Sequence, residues 1–235
     1  VLLPKHYLAR CSRRLRGRKL AAICGMTLAP GLNPRAQPQL PVPPHRARNR
    51  LDFPICNYRT RVQNPLHFGG GNMACRRDWF LRIGGFNHHL TGSALGEDIE
   101  FAGRLRRAGA RTLYDPAIYL WHHRPTSGGC RLDGVSSFER SRDRQRNWYY
   151  AIFHGAGLRV GAEIFARRWW NLLLRIAGKA RKGPQENSAL DAPIQGNRWA
   201  SLFGRFVGTW EGFARALRDK NISGHYHQVA PLIPP

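Results

Sequence analysis

The stretch that most constrains this chain covers residues 96–109 and has the sequence GEDIEFAGRLRRAG. Apolar residues recur at helical spacing behind two adjacent carboxylates, Glu97 and Asp98, and a glycine stands at each end. The pattern predicts a short amphipathic helix over residues 97–108 with an acidic first turn. Acids in a first turn complement the helix dipole, but a carboxylate there can also act as a general base toward a hydroxyl. This stretch alone leaves both interpretations open.

The chain is strongly basic. Its 235 residues include 38 Lys and Arg against 14 Asp and Glu, which gives a formal net charge of +24. Such a charge favours polyanionic neighbours: nucleic acid, anionic lipid or phosphate-bearing substrates. A GC-rich genome would also enrich arginine, so the charge does not choose among these partners. The hydrophobic content of 42% is sufficient for a packed core.

The cysteines and the apolar runs bear on the compartment. The 5 cysteines are widely spaced and form no C-x-x-C pair, which favours reduced thiols in a cytoplasmic setting. No apolar run reaches the roughly 18 residues that a bilayer-spanning helix needs, and no signal peptide is visible. Because the chain begins with Val1 and not with methionine, we expect a fragment or a processed product.

Strands and short helices alternate in the first half of the chain. Apolar runs bounded by turn residues predict strands, and helical periodicity ending at glycine predicts helices. The predicted elements are a strand over 20–26, a strand over 68–75, a helix over 76–83 ended by Gly84-Gly85, and strands over 111–114 and 118–122 on either side of a turn at Asp115-Pro116. Residues 29–54, which hold seven of the 16 prolines, predict an unpacked loop.

The second half of the chain is helical in character. The predicted helices cover residues 136–154, 158–179 and 199–217, with a polar linker over 183–196. Gly204, Gly208 and Gly212 recur every four residues on the last helix and would let a neighbouring helix come close. We therefore predict a first domain over residues 1–130 and a basic, amphipathic helical extension over residues 131–235.

Several motifs follow one another in order around the acidic helix. They are GGNMACRR at 70–77, GGFN at 84–87, GEDIE at 96–100, RLRRAG at 104–109, LYDP at 113–116, WHHR at 121–124 and RSRDRQRNWYY at 140–150. This ordered set, over about residues 66–155, resembles the C-terminal half of a family 2 glycosyltransferase of the GT-A fold. The resemblance implies an α/β fold: a partial GT-A-like (Rossmann-like) mixed sheet that lacks its nucleotide-binding half, followed by an α-helical C-terminal extension.

The resemblance also implies roles for individual residues. It assigns the catalytic base to Asp98, with Glu97 shaping the acceptor pocket. The substrate-binding residues that it implies are Gly70, Gly71, Asn72 and Arg104. For the glycines, the alternative is a mere bend at the end of a strand. For Glu100, the alternative to a functional role is a stabilising ion pair with Arg104, four residues further along the helix.

A divalent metal, Mn²⁺ or Mg²⁺, is a further implication of the resemblance. A histidine in this region of the fold would help to hold the metal on the donor diphosphate, which makes His122 and His123 candidates. Adjacent residues of a strand point to opposite faces, so at most one of them can serve, and two solvent-exposed histidines are the alternative. The D-x-D metal motif of the family has no counterpart in residues 1–65, so we expect the isolated chain to have little or no activity.

The function implied is transfer of a sugar from a nucleotide-sugar donor to a hydroxyl of a glycan or lipid-linked acceptor, with inversion, in cell envelope polysaccharide biosynthesis. The protein would be cytoplasmic, with a peripheral place at the inner face of an anionic membrane. Two alternatives remain: a basic nucleic-acid-binding protein and a membrane-surface module without catalysis. Because the arginines are scattered and no nucleic-acid-binding motif is present, nucleic acid is not the expected partner.

Overall fold

The computed structural model describes residues 1–17, 19–47, 57–123, 134–176 and 198–222. Its strands are Ala22–Leu28 (β1), Val62–Gln63 (β2), Met73–Cys75 (β3) and Thr112–Trp121 (β4). Its α-helices are Tyr7–Arg16 (α1), Pro44–Ala47 (α2), Arg77–Arg82 (α3), Glu97–Arg107 (α4), Ser137–Tyr150 (α5), Leu158–Ile176 (α6) and Arg198–Ile222 (α7). A π-helix, Ala151–Ala156, continues α5, and short 3-10 helices cover Pro34–Ala36 and Gly70–Asn72.

The four strands form one mixed sheet in the order β2-β4-β1-β3. The two central strands, β1 and β4, are parallel, and each edge strand pairs antiparallel with its neighbour. Helix α4 contributes Phe101 and Leu105, both fully buried, to the core that also contains Cys24 and Met26 of β1. A mixed α/β architecture with helices after the sheet is compatible with the predicted GT-A-like class.

Strand β4 differs from its prediction as two strands around a turn. It is one continuous strand, Thr112–Trp121, and both of its halves pair with β1 across a register shift that follows Cys24. The extra residues bulge out, and Asp115 within the bulge is fully buried and ion-paired to Arg14 at 2.7 Å. Opposite the bulge, a Cβ at Gly25 would lie 1.7 Å from the carbonyl oxygen of Ile118, so only glycine fits there. The prediction of a turn was therefore wrong because the buried ion pair holds the bulge inside the sheet.

The glycine-rich segment before β3 also departs from the predicted strand over 68–75. Only Met73–Cys75 is extended, and Gly70–Asn72 forms a tight 3-10 turn. The residue that opens this turn is Gly69, whose φ of 68° lies in the left-handed region that favours glycine. The predicted glycine ends of α3 and α4 are confirmed by the positive φ of Gly84, Gly85 and Gly109.

The proline-rich segment is more ordered than the predicted loop. Residues 29–47 contain a 3-10 helix and α2, and Leu40 packs against the sheet core. The amide of Leu40 donates to Oγ1 of Thr60 at 2.8 Å, which ties the segment to the residues before β2. Residues 48–54 of the predicted loop lie outside the described residues, as do the predicted boundary at residue 130 and the predicted linker over 183–196.

The glycine ladder of α7 is a helix-packing surface, as predicted. A Cβ at Gly208 would lie 2.2 Å from the carbonyl oxygen of Arg142 on α5, and Gly204 and Gly212 meet the backbone of α5 equally closely. The π-helix packs in the same way on α4, because Gly155 meets the backbone of Glu100. The helical region is thereby attached to the acidic helix. Within the described parts of the chain, no helix combines the length and apolar character needed to cross a bilayer.

Candidate active site

Side chains of α5 hold the loop that precedes the acidic turn of α4. Asp143 of α5 accepts hydrogen bonds from the amide and the hydroxyl of Ser93, at 3.1 Å and 2.5 Å. Asn147, one turn further along α5, donates through Nδ2 to the carbonyl oxygen of Thr91 at 2.6 Å. These bonds fix the loop that leads through Gly96 into α4. Helix α5, which contains the predicted motif over residues 140–150, therefore positions the acidic turn without being part of the site itself.

Asp98 lies at the centre of a small hydrogen-bonded cluster. Its Oδ2 accepts from the amide of Gly70 at 2.8 Å and lies 2.9 Å from Nε2 of His67. Its Oδ1 accepts from the amide of Ile99 at 2.8 Å. The side chain is 15% exposed, so it is neither completely buried nor freely exposed. Three donors hold its carboxylate in place.

The charges of this cluster are strongly coupled. Burial alone would raise the pKa of Asp98, but the charge of His67, its hydrogen bond and the two backbone amides outweigh burial and lower that pKa to about 2. Burial also opposes protonation of His67, yet Asp98 raises the His67 pKa above its usual value. The pKa of Glu97 is raised by burial and by the neighbouring Asp98 charge. Asp98 therefore stays ionised to lower pH than Glu97 does.

The glycine turn brings several predicted residues together. A Cβ at Gly70 would lie 3.4 Å from Oε1 of Glu97, and one at Gly71 would lie 3.4 Å from Cδ2 of His122. Both glycines are exposed. The turn therefore lies between the acidic end of α4 and the end of β4, with its backbone open to an incoming molecule. His123, the next residue, is exposed.

Two of the predicted substrate-binding side chains, Asn72 and Arg104, have hydrogen-bond partners within the protein. Asn72 is 1% exposed; its Nδ2 donates to the carbonyl oxygen of Met26 at 2.7 Å, and its Oδ1 accepts from the hydroxyl of Tyr7. Asn72 therefore ties the glycine turn to β1 and α1.

Arg104 is equally occupied within the protein. Its Nε donates to Oε1 of Glu100 at 2.7 Å, and its two terminal nitrogens donate to the carbonyl oxygens of Ile83 and Gly85. The ion pair with Glu100 that the spacing suggested is present, and these contacts give Arg104 a structural role, while its part in substrate binding stays a prediction.

The predicted metal site was tested against the residues that surround the turn. Across the described ranges, no group of three or more histidine, cysteine, aspartate or glutamate side chains is arranged to hold a metal ion. His122, beside Gly71, supplies one imidazole, which does not make a complete ligand set. The described residues thus do not by themselves fit a metal ion, and a ligand role for His122 or His123 stays a prediction.

Sequence reasoning missed two histidines that contact the acidic helix. His67 precedes the glycine turn, and the sequence LHFGGGN offered the only signal, a histidine two residues before a run of glycines. His154 lies in the π-helix, where its Nδ1 is 2.8 Å from Oε1 of the fully buried Glu100. Both contacts join residues far apart in the chain, so no local spacing in the sequence predicts them.

Comparison with known families agrees with this geometry. The family model described as glycosyl transferase family group 2 matches residues 2–210, which include the sheet, the acidic turn and most of the helical region. No curated protein matches the chain. Since the match covers well over half of the sequence, the chain belongs to the group 2 family of glycosyl transferases.

Proposed function

We propose that this protein transfers a sugar from a nucleotide-sugar donor to a hydroxyl of a glycan or lipid-linked acceptor, with Asp98 as the general base and with inversion at the anomeric carbon. Membership of the glycosyl transferase family supports glycosyl transfer in general. The observation that carries the proposal further is the ionised, partly exposed Asp98 carboxylate beside the open backbone of Gly70.

The proposed reaction needs one proton acceptor and one leaving group. Asp98 takes the proton of the acceptor hydroxyl as that oxygen forms a bond to the anomeric carbon. The bond from that carbon to the diphosphate breaks on the opposite face, and its electron pair leaves with the nucleoside diphosphate. Attack on one face and departure from the other invert the configuration. The exposed backbone of Gly70 and Gly71 would let the acceptor approach closely, with Glu97 at its side.

A radiolabelled-donor assay tests the proposal. Transfer is measured with the 235-residue chain and with the longest polypeptide that contains it, since a Mn²⁺ or Mg²⁺ ligand motif and a nucleotide-binding segment belong to the family expectation. Asp98→Asn is expected to abolish transfer while donor binding persists, and NMR of the product is expected to show inversion. The matched control is Asp78→Asn, an aspartate on α3 whose carboxylate pairs with Arg76 at 2.5 Å. Full activity of Asp98→Asn, or retention of configuration, would contradict the proposal.

We also propose that α6 and α7 rest on the anionic inner face of a membrane on the cytoplasmic side, where a lipid-linked acceptor would be found. Large aromatic side chains are exposed on these helices, namely Trp170, Trp199, Phe203, Phe206 and Trp210. The opposite side of α7 packs on α5 through its glycine ladder. Exposed aromatics on basic amphipathic helices are typical of interfacial binding, and the net charge of +24 is complementary to anionic lipid.

Vesicle co-sedimentation tests this association. The double variant W199S/F203S is expected to bind phosphatidylglycerol vesicles about tenfold or more weakly, because two aromatic side chains no longer enter the interface. The matched control is Leu8→Ser, which removes an exposed apolar side chain from α1. Equal binding of all three proteins would contradict a role for this face. A steep salt dependence of binding to random oligonucleotide would instead favour the nucleic-acid alternative.

A further inference from the structure

The way Asp98 is held restricts how it can receive a proton. A carboxylate offers about four lone-pair sites, two on each oxygen. In the structure, Oδ2 lies within hydrogen-bonding distance of two groups, the amide of Gly70 and Nε2 of His67. Oδ1 accepts a hydrogen bond from the amide of Ile99. Among the contacts of the described residues, this leaves the second site on Oδ1 for an acceptor hydroxyl.

Among the three groups that donate to Asp98, His67 is the one that can change its charge. Its side chain is 24% exposed, so it can exchange protons with solvent, and its Nε2 can donate to Asp98 whether the ring is neutral or protonated. Gly70 and Ile99 contribute backbone amides that do not titrate. The ionisable groups that the structure places around the pair are Glu97, adjacent on α4, and His122, which lies across the glycine turn against Gly71.

We propose that His67 is a positioning residue for the general base: it fixes Oδ2 of Asp98 so that Oδ1 faces the acceptor, and its own charge sets how readily Asp98 accepts the proton. This inference rests on the proposed function of Asp98. With His67 protonated, an adjacent positive charge stabilises the carboxylate and makes it a weak base. With His67 neutral, the hydrogen bond persists and the charge is gone, so Asp98 takes a proton more readily.

Atoms and electrons balance in the same way whether His67 is protonated or neutral. The acceptor oxygen gives its proton to Oδ1, the new bond to the anomeric carbon forms, and the electron pair of the broken bond leaves with the diphosphate. His67 neither gains nor loses a proton in this step. It acts through Asp98, and its signature is a rate that rises with pH as its imidazolium loses a proton.

The first test needs no catalytic activity. The proton on Cε1 of His67 is followed by two-dimensional NMR from pH 4 to pH 9 in the 235-residue chain and is assigned by its disappearance in His67→Gln. In the unaltered chain His67 is expected to titrate above the ordinary histidine pKa, and in Asp98→Asn its titration midpoint is expected to fall by about one pH unit or more. The matched control, Asp78→Asn, removes an aspartate on α3 and should leave His67 unchanged. Identical titration of His67 in the unaltered chain and in Asp98→Asn would overturn the proposal.

The second test uses the pH profile of transfer. In the unaltered protein kcat/KM is expected to rise with pH, and the midpoint of that rise should equal the titration midpoint of His67 found by NMR. In His67→Gln, which keeps a donor to Oδ2 but cannot become charged, the rising limb should move to lower pH by about one unit or more. A merely structural histidine would lower kcat/KM at every pH and leave the limb in place, which would overturn the proposal. Far-UV circular dichroism checks that His67→Gln is folded. If His67→Gln does not fold, the pH profile is measured with His67→Asn in its place.

The two proposals fail in different ways. If Asp98→Asn retains transfer, Asp98 is not the base, whatever His67 does. If Asp98→Asn is inactive but His67 titrates independently of Asp98, the proposed function stands and the inference about His67 fails.

Discussion

Two carboxylates two residues apart on α4, Asp98 and Glu100, each pair with a histidine from elsewhere in the chain, and the two pairs differ in their exposure to solvent. Asp98 and His67 are 15% and 24% exposed and face the open glycine turn. Glu100 and His154 are 0% and 5% exposed and are sealed between α4 and the π-helix. The N···O distances are almost equal, 2.9 Å and 2.8 Å. Residue type and N···O distance therefore do not distinguish the proposed catalytic pair from the structural one.

The two pairs differ in the other groups that surround each carboxylate. Glu100 also receives the guanidinium of Arg104, which in turn donates to the carbonyl oxygens of Ile83 and Gly85. Behind Glu100, the backbone of Gly155 lies in contact with α4 and excludes water and ligands. A buried, paired carboxylate of this kind holds two parts of a fold in register. Asp98 is held by three donors but its side chain stays partly exposed, which its proposed role as a base requires.

The largest expected effect separates the pairs by activity. Asp98→Asn should lower kcat/KM by about 10²- to 10⁴-fold, the usual contribution of a general base. The protein should remain folded at pH 7, because asparagine keeps one oxygen that accepts from the amide of Gly70 or of Ile99, and the loss of the other hydrogen bond is small beside the total stability of a domain. Transfer and far-UV circular dichroism are measured on the same preparation. Loss of the fold together with activity would place Asp98 with Glu100 as a structural acid.

The second effect separates the pairs by stability. Glu100→Gln should lower the free energy of unfolding by about 3 kcal/mol, because the buried guanidinium of Arg104 loses its counter-charge. The matched control is Glu163→Gln on α6: Glu163 also pairs with an arginine four residues away, Arg159 at 3.4 Å, but both side chains are well exposed. The control should change stability by no more than about 0.5 kcal/mol. Urea denaturation gives both values, and equal losses would show that burial does not matter here.

The sequence predicted the helix that carries both carboxylates but not the histidines that pair with them. Helix α4 and its acidic turn were predictable because apolar periodicity and the terminal Gly109 are local signals. The ion pair of Glu100 with Arg104 was predictable for the same reason. His67 and His154 are 31 and 54 residues away from their partners, so only the fold brings them together.

Distant partners also govern two residues whose local sequence suggested another role. Asp115-Pro116 carries turn residues, yet β4 continues through it because Arg14 neutralises Asp115 inside the sheet. Asn72 has the chemistry of a ligand contact, yet Tyr7 and Met26 use its side chain. In both cases a distant partner decided the outcome.

The third expectation concerns the dependence of stability on pH. The folded-state pKa of Asp98 is lowered from 3.8 to about 2, so its contribution is present above the unfolded pKa and is lost as the pH falls toward 2. The folded-state pKa of His67 is raised above 6.5, so its contribution is present below that value and is lost as the pH rises through the raised pKa. The unaltered protein should therefore exceed Asp98→Asn in stability by about 2 kcal/mol between pH 4 and 6, and by less on either side. Urea denaturation at several pH values checks this window, and a difference that does not vary with pH would contradict the charge coupling.

The smallest expected effect is that of Glu97→Gln, which sharpens the assignment within the acidic turn itself. Glu97 lies beside Asp98, and the pKa of its carboxyl is raised by burial and by the Asp98 charge. Removing its negative charge leaves Asp98 slightly less basic, so kcat/KM at pH 7 should fall by less than about tenfold, the change that one pKa unit would give. The transfer assay compares Glu97→Gln with Asp98→Asn under identical conditions. Should Glu97→Gln lose as much activity as Asp98→Asn, the raised pKa of Glu97 would make it the better proton acceptor, and Asp98 with His67 would then be the pair that supports it.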